Sequence, residues 1–146
     1  MMEEEQGAFR GELHELTERI IGVFFSVANE LGTGFAEVVY RRAMCIALAE
    51  AGLKVQEEWP IEVWFHGKNI GVFKADIVVN GLVMLELKLA EEIGRQFEAQ
   101  LLNYLRATEV EVGMVLAFGL KARFRRLSMG NETKKQRQRR ERGLEG

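Results

Sequence analysis

Cysteine is almost missing from the chain, and a lone Cys45 cannot close an internal disulfide. Its place in an apolar helical pattern suits a small core residue better than a nucleophile. With only His14 and His66 beside it, the chain cannot assemble a structural zinc site of the usual Cys/His kind, so any metal must be held mainly by oxygen. No apolar run approaches the roughly 18 to 20 residues that a bilayer-spanning helix needs. The start, with Glu3, Glu4 and Glu5, is the opposite of a signal peptide's basic opening, so a cytoplasmic protein without a membrane partner is expected. Aspartate is as scarce as cysteine: of 22 acidic residues, only Asp76 is one.

What is present fits a single globular domain. The 146 residues are 47% hydrophobic and 29% charged, enough to bury one core and too few for two ordinary domains. Charge is unevenly spread, because Lys121 to Arg142 carries ten basic residues against Glu132 and Glu141. We expect a flexible acidic segment over 1–12, a folded domain over 13–130 and a basic, disordered tail over 131–146.

Leu13, Leu16, Ile20, Val23, Phe24, Val27 and Leu31 recur at helical spacing, and Gly32 offers a stop. A second helical pattern runs from about Phe35 to Ala51, ended by Gly52, and pairs with the first as a hairpin. The period then changes. Leu53 to Glu58 and Ile61 to His66 read as strands divided by Pro60, with a turn at Gly67-Lys68-Asn69. Ile70 to Val79 and Leu82 to Leu89 read as two strands about an Asn80-Gly81 turn. Ile93 to Ala107 returns to helical spacing, Val112 to Phe118 suits a buried strand, and Arg123 to Leu127 an edge strand. The order predicts an α/β sandwich around a mixed sheet, preceded by a helical hairpin.

Two strands carry charge where burial makes charge costly. Asp76 interrupts the apolar run Phe73 to Val79, and Leu85-Glu86-Leu87-Lys88-Leu89 sets a carboxylate and an ammonium on one side of a strand whose other side is leucine. A two-residue loop would place Asp76 on the face of Leu85 and Leu87, away from Glu86. A three-residue loop, Val79-Asn80-Gly81 with Gly81 left-handed, pairs Val78 with Leu82 and turns Asp76, Glu86 and Lys88 to one side. The other side, Phe73, Ala75, Ile77, Val79, Val83, Leu85, Leu87 and Leu89, is then uniformly apolar, so the odd loop is predicted. Two close carboxylates repel unless they share a proton or a hard cation such as Mg²⁺ or Mn²⁺. Beside such a cation Lys88 could orient or deprotonate a water, or offset charge developing on a phosphate.

Asp76, followed ten residues later by Glu86-Leu87-Lys88, resembles the signature of PD-(D/E)XK nucleases. Gly34-Phe35-Ala36-Glu37-Val38-Val39-Tyr40 is similar to the defining stretch of the GxxExxY family, a branch of that superfamily, and Glu98 to Leu105 resembles its helix after the catalytic strand. The resemblance covers about Leu13 to Leu127 and implies a restriction-endonuclease-like α/β sandwich. It also implies a nuclease that hydrolyses phosphodiester bonds of nucleic acid, DNA being favoured over RNA, with Mg²⁺ or Mn²⁺. Asp76 and Glu86 would ligate the metal with the Leu87 carbonyl, Glu37 would reach it directly or through water, and Lys88 would be the catalytic lysine. Gln100 would place water or phosphate, with Tyr104 beside it on the nucleic acid. Phe97 and Ala28 stand where relatives are expected to have histidine.

Plainer readings remain for the residues other than Asp76. Glu37 suits a helix N-terminus paired with Arg41, and Glu86 with Lys88 suits a solvated strand face. Gln100 and Tyr104 suit the polar edge of an amphipathic helix. Lys134, Lys135, Arg137, Arg139 and Arg140 suit either a nucleic-acid arm or a solvated end without stacking aromatics. The rival functions are a non-catalytic nucleic-acid-binding or protein-interaction module that keeps the fold, and a homodimer built through the helical hairpin.

Overall fold

A computed structural model describes residues 2–134, with side chains from 11 onward. Helices α1 (Met2–Leu31) and α2 (Glu37–Glu50) form the expected hairpin, α1 starting well before the expected Leu13. The chain continues through β1 (Val55–Phe65), β2 (Lys68–Val79), β3 (Val83–Lys88), α3 (Arg95–Arg106), β4 (Val112–Ala117) and β5 (Arg123–Ser128). The five strands form one mixed sheet in the order β1-β2-β3-β4-β5. Only β3 and β4 are parallel, which the intervening α3 permits. Among the described residues no helix is long and apolar enough to cross a membrane.

The two strands expected around Pro60 are one. Pro60 pairs with Lys74 on the edge strand β1, where its missing N–H interrupts no second ladder. The turn after it also sits one residue earlier than expected, at His66 (φ 49) and Gly67 (φ 76), and β2 begins at Lys68.

Helices cover both faces of the sheet. On one, Ile20, Phe24, Tyr40, Met44 and Leu48 of the helical hairpin pack on Ile77, Val79, Val83, Leu85 and Leu87. On the other, Leu101 and Leu105 of α3 pack on Ile61, Ala75, Val78, Met84 and Val115. Leu101 approaches β4 so closely that a Cβ on Gly113 would lie 2.8 Å from its Cδ1, so only glycine fits that strand position unchanged.

The Gly34 to Tyr40 stretch is a helix-start device. Gly34 turns the chain with φ 107, Glu37 opens α2 at its positive dipole end, and Tyr40 locks the hairpin. Its hydroxyl donates to the Gly32 carbonyl (2.5 Å), and its ring stacks on Phe118 with centroids 4.5 Å apart.

Candidate active site

The hairpin turn between β2 and β3 sets the site's geometry. Asn80 (φ 53) and Gly81 (φ 66) are both left-handed, Leu82 N donates to the Val79 carbonyl (2.9 Å), and pairing resumes at Val79 with Val83. The loop has the odd length expected, but its residues are Asn80-Gly81-Leu82 rather than Val79-Asn80-Gly81. Val78 accordingly pairs with Met84, not Leu82. Asn80 decides this, since its N–H donates to the Lys54 carbonyl and its Oδ1 accepts from Lys54 N, each at 2.8 Å. That clasp holds Asn80 in a conformation that asparagine tolerates better than most residues. The two-residue shift preserves parity and moves Asp76 from a place opposite Met84 to one opposite Glu86.

At that place the ladder ends and the carboxylates take over. Regular pairing stops at Ile77 with Leu85. One step on, Asp76 N donates to Glu86 Oε1 (3.1 Å), and Leu87 N donates to Asp76 Oδ2 (2.7 Å). Each side chain thus satisfies a backbone N–H that diverging strands would leave unpaired. Strand alternation also slips here. Across from Asp76, Glu58 of β1 has φ 51 and is skipped by the ladder. As a result the face expected to be uniformly apolar is so only in its middle: Ala75 joins the α3-side cluster, and Phe73 and Leu89 are each 48% exposed.

The electrostatics are those of a crowded, half-dry carboxylate pair. Glu86 is only 4% exposed. Burial first, and the neighbouring Asp76 second, push its carboxyl up to about 8. Burial also raises Asp76, against the opposing effects of the Leu87 N–H and of Lys88. Glu37 is raised by burial and then by Asp76, and Lys88 counteracts both, so α2 delivers Glu37 within electrostatic reach of the pair. Arg41 is not its i+4 partner; the guanidinium engages Glu57 (2.9 Å) and Glu58 (3.4 Å) instead.

Lys88 leaves the sheet on the α3 side, where its Nζ lies 5.2 Å from the centre of the Phe97 ring. Its carbonyl accepts from Phe118 N (2.8 Å), fixing the end of β3 to β4. Phe97, noted in the sequence only for not being histidine, is therefore the surface on which the ammonium rests. Gln100 Nε2 donates to Tyr104 Oη (3.2 Å). Burial and the proximity of Glu86 raise the Tyr104 phenol, which places this pair beside the carboxylates.

Among the described residues no group of three or more His, Cys, Asp or Glu is placed to hold a metal ion together, so Asp76 and Glu86 stand as a pair with Glu37 beyond them. One expectation needs correction. Lys134 is not a solvent-facing cation: it is 2% exposed, and its Nζ donates to the Leu105 and Val110 carbonyls, each at 2.6 Å. The chain from Asn131 to Lys134 forms a helical turn tied to the domain by Asn131 N on Glu111 and Asn131 Nδ2 on the Glu109 carbonyl, so the fold extends past 130. Lys135, Arg137, Arg139 and Arg140 lie outside the described residues.

The donor set suits a hard cation. Asp76 and Glu86 each commit one oxygen to a backbone N–H, and among the described residues no hydrogen bond reaches the other. Mg²⁺ and Mn²⁺ take oxygen ligands, and Mg²⁺ is commonly held through one or two carboxylates while keeping several waters. Positive charge between the two would offset the burial that raises both carboxyls and, at Glu86, the repulsion from Asp76 that adds to it.

Comparison with known proteins adds three findings. A family model described as PD-(D/E)XK nuclease superfamily matches residues 14–127. Among solved structures, that of SSO0001 superposes with a TM-score of 0.50 at 13% identity, covering 71% of this chain and 59% of that one. An alkaline exonuclease, LHK-Exo, from Laribacter hongkongensis superposes with a TM-score of 0.47 at 14% identity, covering 63% of this chain and 55% of that one. The chain thus spans less than two thirds of either neighbour. No curated protein matches it. The family match, with the sheet order and flanking helices above, gives the fold as restriction-endonuclease-like.

Proposed function

Because this chain belongs to the PD-(D/E)XK nuclease superfamily, we propose that it hydrolyses phosphodiester bonds of nucleic acid, DNA in preference to RNA, using Mg²⁺ or Mn²⁺. The observation that carries this reading is the Asp76 and Glu86 pair at the point where β2 and β3 part, with Glu86 accepting from the Asp76 N–H and Asp76 from the Leu87 N–H. Asp76 and Glu86, with the Leu87 carbonyl, would hold the ion, and Glu37 stands as an outlying carboxylate. When bound, such a cation supplies Lewis-acid polarisation of a phosphoryl oxygen and makes water a better nucleophile at neutral pH.

The chain's own residues do the rest. Lys88, resting on Phe97, presents a positive charge to the oxygens on which negative charge grows during displacement. The Tyr104 hydroxyl accepts from Gln100 and so keeps its proton to donate toward a substrate oxygen, while the Gln100 carbonyl oxygen is left to orient water. Lys135, Arg137, Arg139 and Arg140 add a salt-dependent attraction for phosphate. The Gly34 to Tyr40 device and the Glu98 to Leu105 helix favour the GxxExxY branch.

The test is cleavage of single-stranded DNA, double-stranded DNA and RNA with Mn²⁺ by the wild type, Asp76→Ala and Lys88→Ala. Both substitutions should reduce cleavage by about a hundredfold or more. Undiminished cleavage in both would remove the assignment.

A further inference from the structure

Beside the site lies a groove of about 640 Å³ between the β1–β2 hairpin and α3. Trp64, Phe65, Phe73 and Tyr104 supply its flat apolar surfaces. Three consecutive residues, Val63 to Phe65, line it because the ladder shifts between Val63 and Trp64. A regular strand would send every second side chain away, and the bulge re-aims them. Phe73 folds back over Gly71, where a Cβ would lie 3.1 Å from the ring, and meets Tyr104 with centroids 6.0 Å apart.

Opposite these rings α3 presents the amides of Gln96, Gln100 and Asn103, with Arg106 at one end, hydrogen-bonded to Asn103 (2.9 Å). The groove adjoins the carboxylate site at Gln100 and Tyr104, which line it, and Tyr104 is also an electrostatic neighbour of Glu86. Flat rings facing amides, with a guanidinium as the charged lining group, match unpaired nucleobases, which stack on aromatics and offer their edges to amides. A purely apolar partner would make no use of the capacity these amides keep beyond the Gln100 bond to Tyr104 and the Arg106 bond to Asn103.

We infer that this groove holds unpaired bases of the nucleic-acid substrate, so that the enzyme acts on single-stranded segments running from the groove across Asp76 and Glu86. The inference rests on the nuclease reading for its substrate, and its test separates the two. In EDTA, fluorescence anisotropy would follow binding of the full chain to labelled oligothymidylate and oligouridylate of about twelve nucleotides, and to a blunt duplex of equal length. Phe65, 56% exposed, can be changed without opening the core. In the wild type at least one single strand should bind about tenfold tighter than duplex; Phe65→Ala should lose roughly that factor for single strands alone, and Phe65→Tyr should restore it.

Equal affinity for single strand and duplex in the wild type, or unchanged single-strand affinity in Phe65→Ala and in Phe65→Ala/Phe73→Ala, overturns the inference. An apolar dye held in the groove and displaced by neither oligonucleotide assigns it to an apolar partner and overturns it as well. Loss of single-strand affinity in Phe65→Ala without cleavage of any strand in Mn²⁺ upholds the groove and removes the nuclease reading. Cleavage that depends on Asp76, with affinities indifferent to Phe65, does the reverse.

Discussion

Replacing Glu86 with glutamine should make the metal-free protein more stable near pH 8 while abolishing its chemistry. In the unfolded chain Glu86 ionises near 4.5, and in the fold its carboxyl is held up to about 8 by burial and Asp76. The folded state therefore takes up a proton between those values. Glu86 contributes most favourably below about 4.5, and that contribution is lost as pH rises toward 8. Each pH unit of such a shift corresponds to about 1.4 kcal/mol. Allowing for relaxation around a coupled pair, the wild type forfeits about 2–4 kcal/mol by pH 8. Glutamine keeps an oxygen for the Asp76 N–H and carries no charge to desolvate. In EDTA, thermal unfolding followed by circular dichroism should show Glu86→Gln melting about 6–15 °C above wild type at pH 8, with the gap closing as pH falls toward 5. A pH-independent difference, or a variant less stable at pH 8, would refute the claim that Glu86 ionises at a cost to the fold.

Three further perturbations probe other parts of the account. Gly113→Val should destabilise by about 1–3 kcal/mol in chemical denaturation, because its side chain must displace Leu101 from β4. Phe97→Leu should lower the cleavage rate about tenfold with little change in KM, since it removes the ring beneath Lys88 but keeps the apolar bulk; an unchanged rate would mean that the ring does not position the ammonium. Lys134→Ala should cost about 1–3 kcal/mol of stability by removing a donor from the Leu105 and Val110 carbonyls, and should leave the salt dependence of nucleic-acid binding unaltered, as a phosphate-contacting lysine would not.

Much of the architecture was legible because period carries it. Helical spacing in Leu13 to Leu31 and Ile93 to Ala107, with glycines at element ends, marks α1 and α3. Alternation constrains the β2–β3 hairpin so tightly that the odd loop follows from side-chain chemistry alone. Which three residues form it was not legible, because the deciding contact is the clasp between Asn80 and Lys54, remote in sequence. The break in alternation at Asp76 was hidden for the same kind of reason. It depends on Glu58 of the neighbouring strand, which local pattern does not register. Pro60 misled by suggesting two strands where an edge strand passes through unbroken.

The site was legible where cost exposed it and obscure where tertiary placement decided it. One aspartate inside an apolar strand announces itself. Phe97 gave no such signal, since an aromatic in an amphipathic helix ordinarily means core. Lys134 looked like part of a charge run, and only the fold shows the Leu105 and Val110 carbonyls that its long side chain reaches.

The central claim, that Asp76 and Glu86 form a cation site, is tested most directly by calorimetric titration of Mn²⁺ at pH 7 in buffers of differing ionisation enthalpy. The account expects saturable binding to the wild type, release of protons as the ion replaces the one held by the carboxylate pair, and loss of both in Asp76→Asn and Glu86→Gln. Absence of Mn²⁺ binding, or binding with the same proton release in both variants, would contradict it.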